Sequence, residues 1–171
     1  MQTIALVRLL AMGALGSACG TSARVAPAPS SRAPEVAIAA ADTASETVVI
    51  RTNVERRKLG LAQLARSNRL MRAAQLQADQ MAASLTMSHE LPRARYRTMD
   101  DRLDAVEYRY RAAGENVAEG YPGAASVVAG WMTSPGHRAN IVSTHYTEIG
   151  AGVATGRNGR RFWAQVFGAP R

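Results

Sequence analysis

One cysteine, one lysine, three histidines and few aromatic residues occur in the 171 residues of this chain. Each scarcity removes a class of explanation. Cys19 stands alone, so no intramolecular disulfide framework can form and an oxidising compartment would go unused for stapling. Aromatics make up 5% of residues and no basic stripe interleaves with them, which argues against a nucleic-acid partner. Lys58 is the only lysine, so the formal net charge of +8 is carried by arginines scattered along the chain. That excess suits anionic partners such as lipid head groups or acidic wall polymers.

What is present divides into three parts. Met1 to Ala18 is almost wholly apolar or small and ends in Leu15-Gly-Ser-Ala-Cys19. It resembles a bacterial export signal with a lipoprotein-type cleavage box, in which Cys19 becomes the lipid-bearing N-terminus. Export to periplasm, cell envelope or medium is expected, with and without a lipid anchor as open alternatives. A membrane span is disfavoured, because the apolar stretch is short for a bilayer and carries Arg8 near its middle. Residues 20–42 are rich in Ala, Pro and Ser, with Pro27, Pro29 and Pro34 close together, and read as a flexible tether. Residues 43–171 then supply one domain, expected to be a monomer; with 47% of the chain apolar, there is material for one core and not for two.

Within that domain the hydrophobic period is first helical. Ser45 and Glu46 are placed to cap a helix with Val49, Val54 and Arg56 in its interior, stopped by Gly60. After Ser67, the spacing of Leu70, Ala74, Ala78, Met81 and Leu85 predicts a strong amphipathic helix ending just before His89. A shorter helix is predicted from about Thr98 to Val106, with Met99, Leu103 and Val106 inward. A fourth is predicted from Gly123 to Met132, with Pro135-Gly136 ending it. Residues 146–154 and 161–168 switch to β-like runs joined by Thr155-Gly-Arg-Asn-Gly159, a hairpin signal. A further strand near Glu115 completes an α+β sandwich, a small antiparallel sheet flanked by helices.

The histidines mark where chemistry should be sought. His89, His137 and His145 all lie in short polar segments of the second half, and Gly114-Glu-Asn116 lies between the first and the others. Zinc or another divalent metal accepts neutral imidazole nitrogens and a carboxylate oxygen at about 2.0 to 2.2 Å. His89, Glu115, His137 and His145 are therefore the candidate ligands. His89-Glu-Leu-Pro-Arg93 is not a zinc-protease His-Glu-x-x-His motif, since its fifth residue is arginine and Pro92 breaks a helix. Plainer roles stay open for each: His137 bonding backbone in a tight turn, His89 capping the preceding helix, His145 idle in a loop, Glu115 pinning a turn. Trp131, Trp163 and Phe167 are expected in the core. Ser134 lies near His137 in sequence, but no nucleophile elbow and no third member accompany the pair.

Five short segments in order carry a resemblance. Met87-Ser-His89, Gly114-Glu-Asn116, Trp131-Met-Thr-Ser-Pro-Gly-His-Arg-Ala-Asn-Ile141, His145-Tyr-Thr-Glu-Ile-Gly150 and Phe162-Trp-Ala-Gln-Val-Phe-Gly168 resemble the bacterial branch of the CAP superfamily, which groups cysteine-rich secretory proteins, antigen 5 and pathogenesis-related 1. The resemblance covers roughly residues 46–168. It implies an α-β-α sandwich with a cleft of two histidines and two acids that holds a divalent metal such as zinc in some members. It implies His89 as the first histidine, Glu115 as the first acid and His145 as the second histidine. Ser134 stands where the second acid would be, and His137 is expected to fill that gap. The resemblance further implies a non-enzymatic envelope module that binds lipid or cell-wall glycan. The alternative is a metal-dependent hydrolase, peptidase or wall-active, with Glu115 as general base.

Overall fold

The computed structural model describes residues 32–171, and side chains from residue 43 onward. The expected export signal, Cys19 and residues 20–31 of the expected tether lie outside the described residues. The first helix, α1, runs Arg32–Lys58, so helix reaches back through the last part of the segment assigned to the tether. Pro34 falls in its first turn, where a missing N–H costs little, and the alanines that follow are strong helix formers. Ser45 is consequently an interior, buried position instead of a cap. Gly60, at φ +71°, turns the chain away.

The remaining elements are β1 (Ala65–Arg66), α2 (Asn68–Ser84), α3 (Met99–Ala105), β2 (Tyr110–Glu119), α4 (Ala124–Thr133), α5 (Pro135–Val142), β3 (Glu148–Thr155) and β4 (Arg161–Pro170). Thr98 begins α3 with a reciprocal box, its hydroxyl accepting from Asp101 N while the Asp101 carboxylate accepts from Thr98 N. Leu85 ends α2 in the left-handed region at φ 54°. The proline expected only to end α4 also starts α5, because its fixed φ suits the first helical position. His137 thus sits on a helix and not in a tight turn.

The sheet order is β1-β3-β4-β2. The β3–β4 hairpin and the β2–β4 pair are antiparallel, while the two-residue β1 adds a parallel edge to β3. Alternation on the strands divides the core into two layers. Ile149, Trp163 and Phe167 join Val48, Val127 and Trp131 from α1 and α4, whereas Phe162, Ala164 and Val166 join Leu70, Met81 and Leu103 from α2 and α3. Helices cover both faces, which gives the α-β-α sandwich. Gly152 lets α2 lie directly on β3, since a Cβ there would stand 2.5 Å from Gln75 N. No helix among the described residues is long and apolar enough to cross a membrane.

Candidate functional site

Strand β2 is a sheet edge, and its outward carbonyls need partners. Side chains from the α4–α5 region supply them. Trp131 Nε1 donates to Val117 O at 3.3 Å, Asn140 Nδ2 to Glu115 O at 3.2 Å, and the Tyr146 hydroxyl to Ala113 O at 3.4 Å. Gly114 permits this closure, because a Cβ there would meet Asn140 Oδ1 at 2.9 Å. Asn116, fully buried, donates to His137 O and to Gln165 Oε1, both at 3.1 Å, and accepts from Asn140 Nδ2. The Gly-Glu-Asn segment is thereby the seam that fixes α5 against the sheet. Asn140 braces it through the Glu115 carbonyl and the Asn116 side chain.

Glu115 projects from this seam with its carboxylate 3% exposed. Arg102 Nη2, from the fully buried α3 arginine, donates to Oε2 at 2.7 Å, and His89 Nδ1 lies 3.0 Å from Oε1. The expectation that Glu115 pins a turn through backbone N–H groups is replaced by a side-chain pairing with a guanidinium and an imidazole. An ionised carboxylate only accepts, so the proton between them belongs to Nδ1 of His89. Nε2 of His89 has no partner among the described residues, on a side chain 56% exposed. The segment carrying His89 is held by Gln77 of α2, whose amide donates to Ser88 O. His89 therefore does not cap α2.

The Glu115 hydrogen bond raises the pKa of His89 above its ordinary value, against a smaller opposing effect of burial. His137 is shifted the other way, chiefly by burial and also by the charge of His89. His137 Nδ1 lies 3.0 Å from Ser134 Oγ, a local contact between the residue before α5 and its third residue. Among the described residues no carboxylate orients its imidazole, so there the Ser134–His137 pair lacks the third member that nucleophile activation requires.

His145 shares no hydrogen bond or ion pair with His89, Glu115 or His137 among the described residues. It is exposed between α5 and β3, its backbone N–H donates to Ser143 Oγ, and its imidazole has no partner among the described residues. Among the described residues no three His, Cys, Asp or Glu side chains gather closely enough to hold a metal ion. The donor set instead offers two imidazole Nε2 atoms, those of His89 and His137. Glu115 stands behind His89, both its oxygens already engaged. The residue that sequence reasoning missed is Arg102. Its signal was available, since 99, 102, 103 and 106 form a helical stripe on which Met99, Leu103 and Val106 are apolar, and a cation on such a stripe needs a buried anion.

Known proteins place this arrangement. The uncharacterized protein YkwD of Bacillus subtilis is 34% identical over 120 residues, 70% of this chain and 45% of that protein. An extracellular protein of Bacillus anthracis containing an SCP domain superposes with a TM-score of 0.69 at 26% identity, over 75% of this chain and 41% of that one. An outer surface protein of Borrelia burgdorferi shares the fold, with a TM-score of 0.66 at 21% identity over 74% of this chain and 92% of that one. The chain spans less than half the length of the curated relatives it matches. Residues 49–167 match the cysteine-rich secretory protein family, and with the sandwich and its edge seam in view, the chain belongs to that family, CAP.

Proposed function

We propose that this chain is an exported cell-envelope protein that acts as a non-enzymatic binding module. Its cleft holds a divalent metal on His89 and His137, and its ligand is lipid or wall glycan. The observation that carries the proposal is the relay Arg102–Glu115–His89, which fixes one tautomer of an exposed imidazole and leaves its Nε2 facing outward. A carboxylate behind a ligating histidine raises the nitrogen's basicity and holds the ring in place. A bound zinc would add a Lewis-acid centre able to take an anionic or carbonyl oxygen. Arginine-rich charge of +8 favours anionic envelope components. Extracellular and outer-surface relatives support export.

A hydrolase with Glu115 as general base is less well supported. A base needs a carboxylate oxygen free to face water, and here Oε1 meets His89 while Oε2 meets Arg102. Calorimetry with zinc on the full chain tests the proposal. His89→Ala and His137→Ala should abolish binding, Glu115→Gln should weaken it about 10- to 100-fold, and His145→Ala should leave it unchanged. Stoichiometric binding that survives both His89→Ala and His137→Ala removes the cleft from consideration. Chelator-sensitive products from peptidoglycan or peptide libraries would revive the hydrolase.

A further inference from the structure

A hollow of about 330 Å³ lies where α1, the end of β1, the first turns of α2 and the edge of β3 meet, and no residue of the histidine cleft lines it. Its floor follows from the shortness of β1. That strand pairs with β3 only at Ala65 and Arg66, and Ser67 N donates to Ile149 O at 2.9 Å, after which the pairing stops. The next outward amide of β3, that of Ala151, has no strand beside it. It reaches Met71 Sδ at 3.2 Å instead, and a thioether is a weak acceptor. Further along the same edge Gln75 does the work of a strand, accepting from Val153 N and donating to Val153 O. Ala151 N is left as a poorly paired donor on a residue 1% exposed.

From α1, Ser45 lines the same hollow; it is 3% exposed, and its hydroxyl has no hydrogen-bond partner among the described residues. Hydroxyls inside a helix usually bond back to the preceding turn. Thr47 and Thr52 of the same helix do so, donating to Thr43 O at 2.7 Å and to Val48 O at 2.9 Å. Buried polar atoms are nearly always paired, so two under-satisfied donors on the wall of one hollow point to an acceptor that fills it. The rim sets the sign of that acceptor. Arg66 is already paired with Glu46 and also donates to Asn68 Oδ1. Arg72 is exposed and has no carboxylate partner among the described residues. The lining therefore carries one uncompensated positive charge, and it belongs to Arg72.

We propose that this hollow binds the carboxylate end of a small molecule or peptide, with Ser45 Oγ and Ala151 N donating to its oxygens and Arg72 matching its charge. The inference is independent of the histidine cleft and its metal. Met71 yields the Ala151 amide without strain, because its unbranched side chain has three rotatable bonds. A single negative charge is what the lining compensates; a second would be desolvated beside Glu46 with no cation left for it. The volume stands at the lower end of the roughly 300–1,000 Å³ of sites that take one small molecule, which limits the enclosed part to about one amino-acid unit. Charge-assisted bonds to the carboxylate supply the selectivity, and a neutral amide of the same shape lacks them.

N-acetylalanine, its neutral amide and tetra-alanine, titrated into the isotope-labelled full chain and followed by NMR, test the proposal. N-acetylalanine should move the Ala151 amide proton downfield as oxygen replaces sulfur, and the neutral amide should leave it in place. Arg72→Gln should weaken N-acetylalanine about tenfold or more, and Ser45→Ala several-fold. In the unliganded chain Ser45→Ala should keep or raise the thermal midpoint, because the hydroxyl removed had no partner. A clear fall there would reveal an internal partner and overturn the assignment. So would an Ala151 amide that stays unmoved, equal binding of acid and amide, or an affinity unchanged by Arg72→Gln. Tetra-alanine binding tighter than N-acetylalanine would name a peptide end as the source and the reverse a free acid; either ranking supports a carboxylate site.

Discussion

Removing Arg102 should expose how the site is held together. Arg102→Met leaves the Glu115 carboxylate, 3% exposed, without its buried cation, and breaking a buried pair from one side costs about 3–5 kcal/mol. Against a total stability of about 5–15 kcal/mol, that loss is large enough to move a urea midpoint plainly. His89 moderates it. When protonated, His89 is the remaining cation on Glu115, so the deficit should be smaller at pH 5 than at pH 8. Nε and Nη1 of Arg102 have no hydrogen-bond partner among the described residues, and each such buried group carries a desolvation penalty of about 1–3 kcal/mol. Their removal offsets part of the loss.

The double variant Arg102→Met with Glu115→Gln separates these contributions. With no charge left to strand, it should recover at least about 2 kcal/mol relative to the sum of the two single variants. Urea unfolding at pH 8, with the slope checked for constancy, measures the cycle. Additive effects of the two changes, or a single Arg102→Met loss below about 1 kcal/mol, would show that the ion pair does not organise the site.

The titration of the two histidines should oppose. His89 has a folded pKa above its ordinary 6.5, so its stabilising contribution is complete below that value and is lost as pH rises through the folded pKa. His137 has a folded pKa below 6.5, so its contribution is present above that value and is lost as pH falls through the folded pKa. Imidazole resonances followed by NMR should therefore show a protonated His89 beside a neutral His137 at pH 6.5, and coincident titration would contradict the pairing. Because His89 retains its proton above 6.5, zinc affinity should begin to fall at higher pH than the about pH 6 expected for ordinary imidazoles; calorimetry across pH 5–8 measures the onset. Gly152→Ala should destabilise by about 1–3 kcal/mol or more in thermal unfolding, since the new Cβ meets the α2 backbone. Thr98→Ala should cost about 1 kcal/mol by the same measurement through loss of the α3 cap.

Periodicity sufficed where burial alone decides. The stripe from Leu70 to Met81, the hairpin at Asn158-Gly159 and the core places of Trp131, Trp163 and Phe167 all follow from which side chains must leave water. It failed where backbone partners decide. Helix α5 has a single buried residue, Ile141, so no apolar stripe announces it. The element exists because the edge of β2 needs donors, and Asn140 supplies one. Likewise the parallel pairing of Ala65–Arg66 with β3 leaves no trace in a two-residue segment.

The same distinction explains the histidines. A count of imidazoles in polar segments cannot say which ones converge, because loops of similar composition leave the sheet in different directions. His137 is held against the β2 seam, since Asn116 grips its carbonyl and α5 is clamped to the β2 edge. His145, beyond the end of α5, faces solvent while the next residue, Tyr146, turns inward to stack on Phe167 at 5.4 Å between centroids. Since His145 shares no hydrogen bond or ion pair with His89, Glu115 or His137 among the described residues, His145→Ala should be silent in every metal and ligand titration. Loss of zinc binding on that substitution would mean that the α5–β3 connection folds over the site in solution.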